Sequence, residues 1–185
     1  MSRLGILGVA LIAVTVIGAF FWTSVAVQAT DAEKKEFQYI SSAKCKMCHK
    51  GEKKGEIFEK WEAGPHAKAF ASLPEASQKD EKCLGCHTTG FGKGGYVAGA
   101  ENAADFAHVG CEACHGPGSE YKSATVMKDH ALSVAAGMIE VGEAQCKICH
   151  TEALPEACWG EAKAAPKFDF AVASKKVDHK IAKAE

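Results

Sequence analysis

The chemistry of this chain is concentrated in its nine cysteines and eight histidines. Eight of the cysteines form four pairs: Cys45-Lys-Met-Cys48-His49, Cys83-Leu-Gly-Cys86-His87, Cys111-Glu-Ala-Cys114-His115 and Cys146-Lys-Ile-Cys149-His150. In each, two thiols stand about one helical turn apart and an imidazole follows directly. Two sulfurs at that spacing can form thioethers with the two vinyl groups of one haem, and the next imidazole then points at the iron. This is the attachment signature of a c-type haem. Paired CxxC motifs also build zinc ribbons or small disulfides in an oxidising compartment. Neither explains a histidine after every second cysteine. The expectation is four covalently attached haem c groups, anchored by Cys45, Cys48, Cys83, Cys86, Cys111, Cys114, Cys146 and Cys149, with His49, His87, His115 and His150 as proximal iron ligands.

Four histidines lie outside the motifs: His66, His108, His130 and His179. Four irons with four proximal ligands leave four open axial positions, so the count permits a second imidazole at every haem. A lone histidine is as readily a surface side chain. Met127 and Met138 are the methionine alternatives, since Met47 lies inside a motif. Imidazole in place of thioether holds a haem potential lower, so four bis-histidine haems would make a low-potential carrier.

Successive proximal histidines are 38, 28 and 35 residues apart. Some 39 residues per haem is too few for each to own a domain. The haems must share walls and supply much of the apolar core, and the haem-free chain should be largely unfolded. Helical patterns run over Gly55–Ala63, His66–Leu73, Tyr121–Ala136 and Phe170–Ala184. Gly64-Pro65 separates the first two and sets Pro65 just before His66. Gly90–Gly99 and Gly116-Pro-Gly118 read as turns or loops. No alternation is long enough for a sheet. The expected fold is mainly α and loop-rich, with helices and turns wrapped around a closely packed four-haem core.

Residues 1–29 stand apart. Arg3 precedes an uncharged run from Leu4 to Trp22, and Val27-Gln-Ala29 offers a cleavage site before polar sequence begins. That is the plan of a secretory signal peptide, although the apolar run is also near the length of a membrane span. Two readings stand: a removed signal, or an anchor over residues 4–27 in the inner membrane. Under either, residues 30–185 form one exported, periplasmic tetrahaem domain. Lys+Arg 22 against Asp+Glu 23 gives a net charge of −1, which argues against a nucleic-acid-binding stripe. Arg3 is the only arginine, so the exported part carries lysines alone, mobile point charges suited to brief docking. Haem propionates and ferric centres would move its charge to roughly −6. Gly90-Phe-Gly-Lys-Gly-Gly95 lacks the preceding strand and the GKS or GKT of a phosphate loop.

Beyond the haem sites, several segments resemble the tetrahaem cytochrome c-554 family: Trp61 with His66-Ala-Lys-Ala, Cys83-Leu-Gly-Cys-His-Thr-Thr-Gly-Phe-Gly with Gly94-Gly-Tyr96, Val109-Gly-Cys-Glu-Ala-Cys-His-Gly-Pro-Gly118, Cys146-Lys-Ile-Cys-His, and Lys167-Phe-Asp169 ahead of a C-terminal histidine. They span nearly all of the exported chain in the family's order. The resemblance implies a small, mainly helical periplasmic electron carrier that accepts electrons released during hydroxylamine oxidation. It implies three bis-histidine haems and a five-coordinate haem at the second motif. The implied distal ligands are His130 for the first haem, His66 for the third and His179 for the fourth. His108 departs from the family pattern. It is either a ligand to the second iron, which would close the open site, or a solvated loop histidine.

Cys158 is left over. It reads as an inert side chain packed on a haem, a disulfide or lipid link to another chain, or a weak extra ligand. Trp61 and Trp159 read as haem-packing aromatics. The leading function is an electron carrier between redox partner proteins, with no substrate of its own. The alternatives are a reductase of nitric oxide or a similar small molecule at a five-coordinate second haem, and a subunit of a haem filament or larger complex.

Overall fold

A computed structural model of the chain describes residues 36–151, 155–158 and 167–179. The chain divides into two units, 1–34 and 35–185, and all the described residues belong to the second. The signal or anchor, Trp159 and the stretch beyond His179 lie outside the described residues. Within them every regular element is helical, and the rest is turn and loop. No described helix is long and apolar enough to cross a membrane.

The helices are short: α1 (Ser42–His49), α2 (Ile57–Ala63), α3 (Glu81–His87), α4 (Cys111–His115), α5 (Ala124–Met127), α6 (His130–Ala135), α7 (Glu143–Cys146) and α8 (Phe170–Val177). Such lengths do not hold as isolated helices in water, so their ends are fastened individually. Ser41 caps α1 through its hydroxyl, Asp80 caps α3, Ser123 caps α5, Asp129 caps α6 and Asp169 caps α8, each satisfying backbone N–H groups that have no helical partner.

Four sequence expectations change in detail. The Gly55–Ala63 helix begins at Ile57, because Gly55 and Glu56 both take positive φ, 73° and 53°. His66–Leu73 is a 3-10 turn over His66–Lys68 followed by further turns rather than an α-helix. Tyr121–Ala136 is two helices, α5 and α6. Asp129 leaves helical dihedrals to cap α6, and Ser133 donates its hydroxyl back to the carbonyls of Val126 and Asp129 at 2.9 and 3.0 Å. Helix α8 stops at Val177, since Asp178 is extended (φ −64°, ψ 126°), which carries His179 off the helix.

The protein's own apolar core is small. Leu84 of α3, Tyr96 and Phe106 form its centre, with Tyr39, Phe70 and Phe91 against them. The Gly90–Gly95 loop closes over this cluster. Tyr96 N–H donates to Thr89 O at 2.8 Å and Gly95 N–H to Gly90 O at 3.0 Å. Gly95 has no room for a Cβ, which would strike the Thr89 carbonyl.

The N-terminal segment is held by one carboxylate. Glu112, 1% exposed, accepts N–H bonds from Ile40 (2.9 Å), Ser41 (2.8 Å) and Gly118 (2.7 Å). It thereby ties the start of α1 and the Gly-Pro-Gly turn to α4, between the two cysteines of the third motif. Burial pushes its carboxyl pKa up, and the three backbone donors pull it back down. Replacing Glu112 with Gln exchanges a charge-assisted acceptor for an amide that cannot accept all three bonds. The expected loss is about 1–3 kcal/mol, read as a lowered thermal midpoint of the holoprotein; an unchanged midpoint would refute the role assigned to the carboxylate.

Candidate haem sites

Each motif sits at the C-terminal end of a helix, whose turn sets the sulfur spacing. The first three lie within α1, α3 and α4. The fourth begins at the last residue of α7 and continues as a turn, with His150 N–H donating to Cys146 O at 3.0 Å. At the first, third and fourth motifs both cysteines are free thiols; at the second only Cys86 is. Cys83 is instead in a disulfide with Cys158. None of the readings of Cys158 included a partner within the chain; α3 and the 3-10 turn Glu156–Cys158 lie side by side.

The motifs meet each other through their sulfurs. Cys45 adjoins Cys111, and Cys86 adjoins Cys149. Within each pair the neighbours shift in opposite directions: Cys111 and Cys86 are lowered to about 7, while Cys45 and Cys149 are pushed up. Cys114 is raised first by burial and then by Cys146 beside it. The spatial order of the motifs is therefore first, third, fourth, second, rather than their order in sequence.

The histidines outside the motifs divide into two kinds. His66 lies beside His150, with ring centroids 6.0 Å apart, and His179 lies beside His115 at 6.1 Å. Two imidazoles on one iron, with metal–nitrogen bonds of roughly 2 Å each, have centroids about 6 Å apart. Both pairs have that spacing. His66 thus faces the fourth motif and His179 the third, the reverse of the assignment that the family resemblance implies. His130 is exposed, its Nε2 3.4 Å from Glu140 Oε1, and is in neither ring pair. His108 is likewise in neither ring pair. Its Nε2 is 3.2 Å from Ser42 Oγ and its ring meets Trp61 edge-on at 5.1 Å.

The local fold explains these placements. Pro65 opens the 3-10 turn that carries His66, and Val109 N–H donates to His66 O at 3.0 Å. The Trp61 indole donates to Val109 O at 2.9 Å, so Trp61 fastens the strand of chain before α4 rather than simply covering a cofactor. Gly110 follows, where a Cβ would collide with Ser42 Oγ and crowd the His108 ring. Phe168 stacks on His150 at 4.6 Å and 13°, which gives Lys167-Phe-Asp169 two uses: an aromatic buttress for an imidazole, and the cap of the helix that leads to His179.

These donors suit haem iron. Burial is the leading cause that holds His49, His66, His115 and His150 below the usual histidine pKa. The neutral imidazole is the form that binds a metal. His87 donates Nδ1–H to Ala69 O at 2.7 Å and His179 donates Nδ1–H to Val177 O at 2.6 Å, leaving Nε2 of each as the metal-facing nitrogen. His49 Nδ1 is buried with no protein partner among the described residues. Lowered imidazole pKa values and free thiol pairs fit haem c at the first, third and fourth motifs, with the ring spacing added at the third and fourth. At the second, Cys86 and His87 fit and Cys83, as bonded here, does not.

Described residues without a strand, with three CxxCH motifs in helices and the fourth in a turn, have the make-up of a multihaem c-type cytochrome. Residues 44–116 match the family model "Cytochrome c554 and c-prime". Cytochrome c-554 of Nitrosomonas europaea is 38% identical over 96 residues, covering 43% of this chain and 38% of that protein. The sequence match therefore spans well under half of that relative. The reduced-state structure of cytochrome c554 from the same organism superposes with a TM-score of 0.53 at 28% identity, over 76% of this chain and 78% of that one. The resemblance to the tetrahaem cytochrome c-554 family is borne out, as are the loop-rich helical fold and haem c as the cofactor, four to the chain.

The ring pairs yield a prediction. His66→Ala should make the haem of the fourth motif high-spin and leave the others as they were; His179→Ala should do the same at the third. Electron paramagnetic resonance of the oxidised variants, with the haem identified by also replacing its proximal histidine, checks both. A high-spin haem at the third motif in His66→Ala would restore the pairing implied by the family.

Proposed function

We propose that this chain is a periplasmic electron-transfer protein that passes electrons along four haems between redox partner proteins. Haem supplies the one-electron chemistry; the chain's part is to fix the irons, set their potentials and offer docking surface. The observation that carries the reading is the packing of motif against motif: sulfurs of the first and third, third and fourth, and fourth and second sites adjoin. Groups anchored on those sulfurs share walls, which suits relay rather than isolated reactions. With His66 beside His150 and His179 beside His115, haems held there would take an imidazole on each face, which would keep their potentials low and leave no position for a substrate.

Docking is electrostatic in this reading. Lys44, Lys50, Lys53 and Lys54 are exposed around the first motif, with Met47 beside them 75% exposed. Lysines around an exposed apolar edge suit brief, salt-sensitive association with an acidic partner. Candidate partners include an oxidoreductase that releases electrons from a small nitrogen compound, as the family resemblance implies, and a membrane-bound acceptor. Export rests on residues 1–29, as signal or anchor.

A second reading has an observation of its own. His87 is in no histidine ring pair among the described residues, and the nearest spare histidine in sequence, His108, is occupied by Ser42. A five-coordinate second haem could bind nitric oxide or a similar small molecule and reduce it. The two readings separate spectroscopically: a high-spin signal abolished by cyanide or nitric oxide, together with turnover, supports the reductase, whereas its absence leaves the relay alone.

Two outcomes are expected. His108→Ala should leave the number of high-spin haems unchanged, since its Nε2 contacts a serine; a new high-spin haem would make it an axial ligand. Raising ionic strength from about 0.01 to about 0.15 M shortens the screening length from roughly 30 to roughly 8 Å. Reduction by an acidic donor should slow accordingly in stopped-flow measurements, and a rate independent of salt counts against the lysine face.

A further inference from the structure

One cysteine of the second motif is already committed elsewhere. Cys83 is 1% exposed and bonded to Cys158, 75 residues away, with Cα atoms 5.3 Å apart, inside the ordinary span of a disulfide. The neighbourhood is built for the contact. Ser77 donates its hydroxyl to Ala157 O at 2.6 Å, fastening the Glu156–Cys158 turn to the 3-10 turn Glu75–Lys79 that leads into α3. The other seven cysteines are free, although two further sulfur pairs adjoin. The bridge is therefore not a general consequence of crowded thiols. Moreover, the third and fourth motifs both lie between residues 83 and 158, so it closes a loop around them.

We infer that Cys158 is a redox latch on the second haem site: until the second haem is attached it pairs with Cys83, and the second motif becomes competent only when that bridge is reduced. The inference rests on the export and haem attachment proposed above. A sulfur held in a disulfide carries no S–H to add to a vinyl group, so the thioether at Cys83 must wait.

The chemistry balances through thiol–disulfide exchange. To close the latch, the Cys83 and Cys158 thiols lose two electrons and two protons to the disulfide of an exported thiol oxidant, which leaves as a dithiol. To open it, a dithiol reductant attacks one sulfur of the bridge and passes through a mixed disulfide. It then leaves oxidised, returning Cys83–SH and Cys158–SH. While closed, the latch shortens the unfolded chain around motifs three and four and shields Cys83 from pairing with Cys86 in its own motif. While open, Cys158 is the spare thiol of the finished protein.

The test uses the full-length exported chain, made with haem plentiful and with haem limiting. Chains are alkylated on harvest, digested without reductant and mapped by mass spectrometry, with haem counted per chain on the intact protein. In chains lacking the second haem, a disulfide-linked peptide pair joining Cys83 to Cys158 is expected; in four-haem chains, Cys158 should be alkylated. Cys158→Ser should take up its second haem with severalfold less dependence on an added small-molecule dithiol. The inference is overturned if Cys158 is alkylated in chains that lack the second haem, or if Cys158→Ser shows the wild-type dependence. Should that variant fail to accumulate, the wild-type peptide map decides alone. Absence of thioether-bound haem at the first, third and fourth motifs would instead sink the underlying haem reading.

Discussion

Two imidazoles placed about 6 Å apart, on segments far apart in sequence, are the constraint around which this chain is arranged. His66 comes from a tight turn behind Gly64-Pro65 and His150 from the fourth motif; His115 ends α4 and His179 follows α8. Neither pair is local. Each iron so held would cross-link the chain over a long loop, and the short helices between serve as spacers with carefully capped ends. Small size makes this necessary. A core centred on Leu84, Tyr96 and Phe106 is little for a chain of this length, and a covalent cofactor that is also a ligand-to-ligand tie supplies what the side chains do not.

The Glu112 carboxylate plays the complementary part. It is buried beside the third motif, satisfied by three backbone N–H groups, and sets the entry of α1 against α4. Because α1 holds the first motif and α4 the third, that contact also fixes the meeting of Cys45 with Cys111. Gly110 and Ser42 complete the joint from the other side, with His108 packed between Ser42 and Trp61. Position 108 thus has a structural use in this joint.

Much of this was legible in the sequence where chemistry imposes spacing. The four CxxCH segments are helical turns because two vinyl groups and one iron require it, and Gly64-Pro65 ends α2 for steric reasons that hold anywhere. The α5–α6 break was harder to see, since residues 121–136 have helical periodicity throughout and only the choice of Asp129 as a cap divides them. Glu112 looks like any solvated residue inside a motif; the clue was the Gly-Pro-Gly turn directly after its helix, which brings a third N–H to the carboxylate. The pairing of His66 with His150 and of His179 with His115 depends on tertiary geometry that no spacing encodes. The same is true of Cys158, whose partner is 75 residues away and already belongs to another motif.

The spatial order first, third, fourth, second has a consequence for how the molecule divides its labour. The two sites with facing imidazoles are the inner ones, and the two whose proximal histidines, His49 and His87, stand in no ring pair are the termini. A relay of this form has a fixed middle and adjustable ends. The first site is flanked by exposed lysines, whereas the second is buried at Cys83 and Leu84. Direction, if the protein has one, is then written at the two ends.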